Sequence, residues 1–240
     1  MSEPLVCAVM LVDGRDAMVR RAIESFRSQT YQRKRLVIWN TSPENATSRA
    51  LQALGEPPMI ECIRMVRAPG ITFGALRNQA NEFAAGNCTW WPSADIIAHF
   101  DSDDWSHPRR IEEQVAFLQS SGAEAVGYRE LLFWDTRQHG EAWLYAHPHP
   151  AYIVDASRCY WRRIWEAHPY REDCKHPDQD WWLHHWSKCA SESLTIGRPR
   201  MICGIHGDNT SEAYSAKHMI APEWNRAPEF DNYCAERMKL

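Results

Sequence analysis

At 240 residues and 27.9 kDa the chain is too long for a minimal domain and short for two complete enzymatic ones, so one sizeable core with appendages is expected. Hydrophobic residues at 44% and charged residues at 24% exclude a disordered or fibrous chain. Lys plus Arg number 27 against 31 Asp plus Glu, a net charge of −4, so no global positive field holds nucleic acid and any polyanion must be held locally.

In chain order, the run from Leu5 to Leu11 reads as a strand buried on both faces, followed over Asp16 to Ser28 by a helix with Val19, Ala22, Ile23 and Phe26 on one stripe. Arg35 to Trp39, Ile60 to Val66 and Ile96 to Phe100 read as further strands. Thr72 opens a helix that turns Phe73, Leu76, Ala80 and Phe83 inward and stops at Gly86. This rhythm implies an α/β fold with a parallel sheet and crossover helices. Ser106 and Pro108 then signal a helix start, with Ile111, Val115 and Leu118 as its buried face and Gly122 as its end. Residues 124–154 carry short strand-like pieces, and two helices are expected near 157–167 and 178–190, so this half reads as α+β. The tail from about 212, with Pro222 and Pro228 and little periodicity, reads as an extended arm.

The eight cysteines contain no CxxC pair, which excludes zinc-finger spacing, and no signal peptide precedes the first apolar run. Reduced thiols in a cytoplasmic protein are the expectation. No apolar run approaches the roughly 20 residues of a bilayer-spanning helix, so the chain is expected to be soluble or at most peripheral to a membrane.

The densest chemistry lies in Phe100-Asp101-Ser102-Asp103-Asp104-Trp105. A strand ending in three carboxylates puts hard oxygen ligands at the carboxyl end of a sheet, where open α/β sheets bind ligands. Like charges this close call for a compensating cation, and a divalent metal held by few protein groups keeps positions for phosphates. An acidic turn capping the helix at 106 is the competing reading.

Four segments in order resemble the family-2 glycosyltransferases of the GT-A fold. Glu24-Ser25-Phe26-Arg27-Ser28-Gln29-Thr30-Tyr31 is similar to that family's E-S-L-x-x-Q-T-Y segment. Gly74-Ala75-Leu76-Arg77-Asn78 with Ala84 and Gly86 resembles its G-x-A-x-x-R-N…A-x-G helix. Phe100 to Trp105 matches L-D-S-D-D-W, and Gln179-Asp180-Trp181-Trp182-Leu183 falls where the family has E-D-W-x-L. The resemblance spans about residues 5–211. It implies a single GT-A domain over 1–211, with a Rossmann-like donor-binding half (1–105) and an α+β acceptor half (106–211), and a C-terminal arm over 212–240.

By this resemblance the activity is a metal-dependent, inverting transfer from a nucleotide diphosphate sugar, with UDP as the expected nucleotide and Mn2+ or Mg2+ as cofactor. Asp101 would touch the ribose or base side of the nucleotide, and Asp103 would coordinate the metal bridging the diphosphate. Asp104 would support the loop or cap the next helix. Asp180 would be the general base that takes the acceptor hydroxyl proton, with Asp178 as its nearest rival and a helix-terminal carboxylate as the bland alternative. His206, in a segment similar to H-x-x-N-x-S, would complete the metal shell or bond to backbone instead. Arg77 would approach the diphosphate, an exposed helix arginine being the alternative.

The base pocket departs from the family pattern. P-T-Y-N is here Val12-Asp13-Gly14-Arg15, and D-D-G-S is Trp39-Asn40-Thr41-Ser42. Asn40 stands where a carboxylate reads the base; an amide both donates and accepts, which leaves uracil and other bases open. Asp13 is a candidate to compensate.

The acceptor is a glycan, a lipid-linked sugar or a modified nucleic-acid base on this reading. Arg15, Arg20, Arg21, Arg27, Arg33, Lys34 and Arg35 against Asp16 and Glu24 form a basic stretch, which is a solvated face or a footprint for nucleic acid or an anionic membrane. The aromatics Trp134, Trp143, Tyr160, Trp161, Trp165, Trp181, Trp182 and Trp186 fall on the acceptor side, where they either stack on a ring or pack the core. Two other classes compete: a metal-dependent phosphoesterase or nucleotidyltransferase, and a non-catalytic nucleotide-sugar binding module.

Overall fold

The computed structural model describes residues 3–14, 16–42, 51, 55, 59–65, 68–86, 92–137, 140–174, 176–192, 199–207 and 221–239. A seven-stranded sheet has the order β10-β6-β9-β4-β1-β2-β3. Its strands are β1 (Val6–Val12), β2 (Lys34–Asn40), β3 (Ile60–Arg64), β4 (Ile96–His99), β6 (Ala125–Tyr128), β9 (Cys159–Trp161) and β10 (Cys189–Glu192). β1 pairs in parallel with β2 and β4, and β2 with β3.

Alternation along these strands sends side chains to two separate cores. Val6, Ala8, Met10 and Val12 of β1, with Ile96 and Ala98 of β4, pack against helices α1 (Asp16–Arg27) and α3 (Arg110–Ser121). Cys7, Val9 and Ile97 face helix α2 (Phe73–Ala84), helix α4 (Arg162–Ala167) and helix α5 (Pro177–His185) on the other side. A sheet covered on both faces needs strands that are apolar throughout, which is how β1 reads.

The expected helix signals hold at two places. Thr72 caps α2, its side chain accepting from Ala75 N at 3.1 Å, and α3 ends at Gly122, whose φ of 71° is left-handed. Ser106, expected at the start of α3, instead belongs to strand β5 (Trp105–Ser106), where it exchanges hydrogen bonds with the Ser25 hydroxyl. Gln29 braces the same junction, its amide donating to Ser25 O and His107 O and its oxygen accepting from Ile111 N. The E-S-F-R-S-Q-T-Y segment therefore clasps α1 to the chain that follows the aspartates.

A second, five-stranded sheet has the order β12-β8-β7-β11-β5. It adds β7 (Glu130–Asp135), β8 (Glu141–Ala146), β11 (Met201–Ile205) and β12 (Trp224–Arg226). The two-residue β5 lies antiparallel to β11, with Trp105 opposite Ile202 and Ser106 opposite Met201.

Two expectations are corrected. Residues 159–161, expected inside a helix, form β9 and pair antiparallel with both β4 and β6, because Cys159 and Tyr160 fill the cores above and below the sheet. The described part of the tail is not an extended arm: β12 and helix α6 (Asp231–Arg237) pack on the second sheet, where Ala227, Cys234 and Met238 join Leu132, Ala142 and Ile202. No described helix is long and apolar enough to cross a membrane, and no disulfide joins the described cysteines.

Candidate active site

β4 delivers Asp101 one residue beyond the buried Phe100, and β5 fixes the other end of the aspartate loop against β11. His206 follows the last residue of β11. This pairing brings His206 Nε2 to 2.9 Å from Asp103 Oδ2, with side-chain exposures of 8% and 16%.

The loop is held from two further sides, by Gly204 and by Arg21. Gly204 N donates to Asp104 Oδ1 at 3.0 Å, and a Cβ at position 204 would stand 2.8 Å from Asp103 O, so only glycine lets β11 come this close. Arg21 Nη2 donates to Asp103 O at 2.6 Å while its Nη1 donates to Met238 O. Burial, reinforced by Asp103 and Asp101, raises the Asp104 carboxyl well above its ordinary value. Asp104 thus supports the loop.

Beneath Asp101 lies a buried charge network. Arg77, fully buried, donates from Nη2 to Asp101 Oδ1 at 2.9 Å and to Asp155 Oδ2 at 3.2 Å. Asp155, in a short turn before β9, also meets His99 Nδ1 at 3.1 Å and Arg158 Nη1 at 2.8 Å. Arg158 reaches on to α5, donating to Asp178 O at 2.5 Å and lying 3.7 Å from Asp178 Oδ1. Burial alone would raise the Asp155 carboxyl, but Arg158, His99 and Arg77 outweigh it and hold it well below the ordinary carboxylate range. Asp178 moves the other way: burial, then the Asp155 charge, push it well above that range. Burial, followed by Arg77, lowers the proton affinity of His99, whose Nε2 lies 3.1 Å from the Tyr170 hydroxyl.

The expected site residues divide accordingly. Asp101, Asp103 and His206 gather at the loop. Asp180 sits with Asp178 in the first turn of α5, partly exposed, its Oδ1 3.5 Å from Arg171 Nη1. Arg77, expected to approach the diphosphate or else to be an exposed helix arginine, is buried on the inward face of α2, which turns it onto Asp101. Asn40 has no exposed surface either. Its Oδ1 accepts from Ser42 N at 2.9 Å, forming the turn after β2, and its Nδ2 has no partner among the described residues. Asp13 is exposed at the end of β1.

Asp155, Arg158 and His99 were not singled out from the sequence. The one available signal was an ionisable residue inside the apolar strand Ile96–His99.

Within the basic stretch, Arg21 turns inward onto Asp103 and Lys34 Nζ donates to Gln29 O and Tyr31 O, whereas Arg20, paired with Glu24, Arg27, and Arg33, which donates to Glu3 O, are exposed; Arg15 lies outside the described residues. Of the aromatics, Trp134, Tyr160, Trp165 and Trp181 are core. Trp182 and the half-exposed Trp186 reach the surface beside His149.

Asp103 and His206 set a carboxylate oxygen beside an imidazole nitrogen, a donor pair that manganese accepts, whereas magnesium favours oxygen alone. Among the described residues no three His, Cys, Asp or Glu side chains converge as a metal cluster.

A largely parallel sheet covered on both faces, with Asp101 just beyond the carboxyl end of β4, is an α/β architecture of the kind that binds ligands at its strand ends. The chain belongs to glycosyl transferase family 2, whose sequence pattern matches residues 7–190. It is 26% identical over 175 residues to EpsE of Bacillus subtilis strain 168, a protein named as a glycosyltransferase, covering 71% of this chain and 59% of EpsE. Its fold is GT-A: it superposes with a TM-score of 0.64 on S. aureus TarS 1-349 in complex with UDP-GlcNAc, at 12% identity, over 88% of this chain and 62% of that one. The mannosyltransferase PcManGT from Pyrobaculum calidifontis, in complex with GDP-Man and Mn2+, matches at 0.58 and 13% identity over 85% of this chain and 57% of its own. The chain thus spans about three-fifths of the length of these relatives.

Proposed function

We propose that the chain moves a sugar from a nucleoside diphosphate sugar, with UDP as the first candidate, to an acceptor hydroxyl with inversion at the anomeric carbon. The observation that carries this is the meeting of Asp103 and His206 beside Asp101 at the carboxyl end of β4. The nucleotide-sugar complexes of TarS and PcManGT support it from similar folds.

Asp103 and His206 hold the divalent cation, and Asp101, steered by Arg77, faces the nucleoside. When bound, the metal supplies charge stabilisation to the departing diphosphate. Asp180 takes the acceptor hydroxyl proton as that oxygen bonds to the anomeric carbon and the bond from that carbon to the diphosphate breaks. On this reading residues 1–105 hold the donor and 106–211 the acceptor, where Trp182 and Trp186 offer stacking faces.

A second assignment of the base has its own support. Asp178 lies two residues before Asp180 in the same first turn of α5, and burial, then the Asp155 charge, raise the proton affinity of its carboxyl.

Incubation with Mn2+ and a panel of nucleotide sugars tests the proposal. Slow release of nucleoside diphosphate is expected. Nucleoside monophosphate would point to phosphoester chemistry instead, and tight binding without turnover to a binding module.

A further inference from the structure

A cleft of about 540 Å³ opens where β5, the start of α3 and α6 meet. That size is in the range of small-molecule sites. Trp105, His107, Arg109, Arg200, Tyr233 and Arg237 line it together with two prolines, and no carboxylate does.

The three guanidiniums are fixed before any ligand arrives. Glu113 stands behind the lining and orients two of them. It accepts from Arg200 through both oxygens, Nη2 to Oε1 measuring 2.8 Å, and lies 3.7 Å from Arg109 Nε. Glu112 adds a contact to Arg109 at 3.3 Å. Arg237 lies flat over the Tyr233 ring, 3.5 Å from its centroid, and 5.4 Å from that of Trp105. Its Nη1 donates to Tyr233 O, and the exposed Glu236 stands 3.6 Å away. Trp105 and Tyr233 meet edge to face at 6.1 Å, so an aromatic corner adjoins the cations.

Two features select the ligand. Guanidinium groups donate only, so their partner must be rich in acceptors, and a tetrahedral oxyanion matches their fork. Three arginines and no carboxylate line the cleft, so the surface a ligand meets is cationic, with Glu112, Glu113 and Glu236 standing beside it. Burial, then Arg200, lower the proton affinity of His107, with Glu113 opposing and Arg109 and Arg237 adding to the decrease.

We infer that this cleft binds the phosphate group of a phosphorylated sugar, with the guanidiniums of Arg109, Arg200 and Arg237 on the phosphate and the Trp105–Tyr233 corner against the ring. Neither Asp103 nor His206 lines this cleft.

The test is calorimetric titration of the full chain, free of metal and nucleotide, with glucose 1-phosphate, inorganic phosphate and glucose. Saturable 1:1 binding of glucose 1-phosphate is expected, with weaker binding of inorganic phosphate and none of glucose. Arg237→Gln or Arg109→Gln should weaken it about tenfold or more, the scale of one charge-assisted hydrogen bond. Arg109 is 56% exposed, so its variant should retain the fold even if Arg237→Gln does not. No saturable binding, equal binding of glucose, or an affinity unchanged in Arg109→Gln would overturn the inference.

Discussion

His206 Nε2 lies 2.9 Å from Asp103 Oδ2 although 103 positions separate the two residues. The contact exists because β5 and β11 pair across the start of the second sheet. His206→Ala and Asp103→Ala should each weaken Mn2+-dependent binding of UDP, by about tenfold to a hundredfold. Isothermal titration with and without the metal measures this. Metal dependence equal to that of the unmodified chain would remove both residues from the metal site.

The base assignment separates in one pair of variants. Asp180→Asn should leave UDP affinity intact and reduce transfer by about 10²- to 10⁴-fold, the usual contribution of a positioned base. Normal turnover in Asp180→Asn together with loss in Asp178→Asn would move the role two residues along the helix.

Asp178→Asn should also stabilise the fold. A carboxyl whose folded-state pKa is raised costs stability at every pH above that value, and the amide removes the cost. The expected rise in Tm at pH 8 is about 2–4 °C for each kcal/mol recovered in a chain of this size. A lower Tm would mean that Asp178 is a net favourable partner of Arg158. A stabilising change that lowers turnover would mark a position kept for chemistry rather than folding.

Asp155 should behave in the opposite sense. Its carboxyl is depressed in the folded protein, so its contribution is present above the unfolded value of about 4 and disappears as pH falls through the folded one. Asp155→Asn removes the shared partner of Arg77, His99 and Arg158 and should cost about 3–5 kcal/mol, as breaking a buried ion pair does. Chemical denaturation at pH 7 and pH 3 checks the sign: the gap between variant and parent should narrow at the lower pH.

Gly204→Ala places a Cβ 2.8 Å from Asp103 O, backbone that cannot step aside without moving the aspartate loop. A loss of about 1–3 kcal/mol is expected, together with weaker metal-dependent UDP binding. Urea melts and the same titration measure both, and unchanged values in the two would show that the loop adjusts freely.

Several elements were legible from sequence because their signals are local. The unbroken apolar run of β1, the Thr72 cap and the Gly122 stop each involve residues a few positions apart. Even Arg77 carried a readable sign: it lies four residues after Phe73 and three before Ala80, on the stripe that turns inward. Asp155 carried none. Its partners lie 78, 56 and 3 positions away, and nothing in the residues around it distinguishes a network hub from a surface aspartate. β9 and β5 were missed because three and two residues are too few for a period to register, and their strand character comes wholly from the neighbours they pair with. The Asp103–His206 pair was reached through resemblance of motifs, since proximity over 103 positions leaves no local trace.

The brevity of β5 also dictates spacing. With only Trp105 and Ser106 in register against β11, deleting one residue between Asp103 and Trp105 would exchange their faces. The indole would swing out of the Arg237 corner and the serine would lose its clasp on Ser25. The interval between the aspartates and the tryptophan is therefore constrained by length before it is constrained by identity, and insertions there should be less tolerated than substitutions.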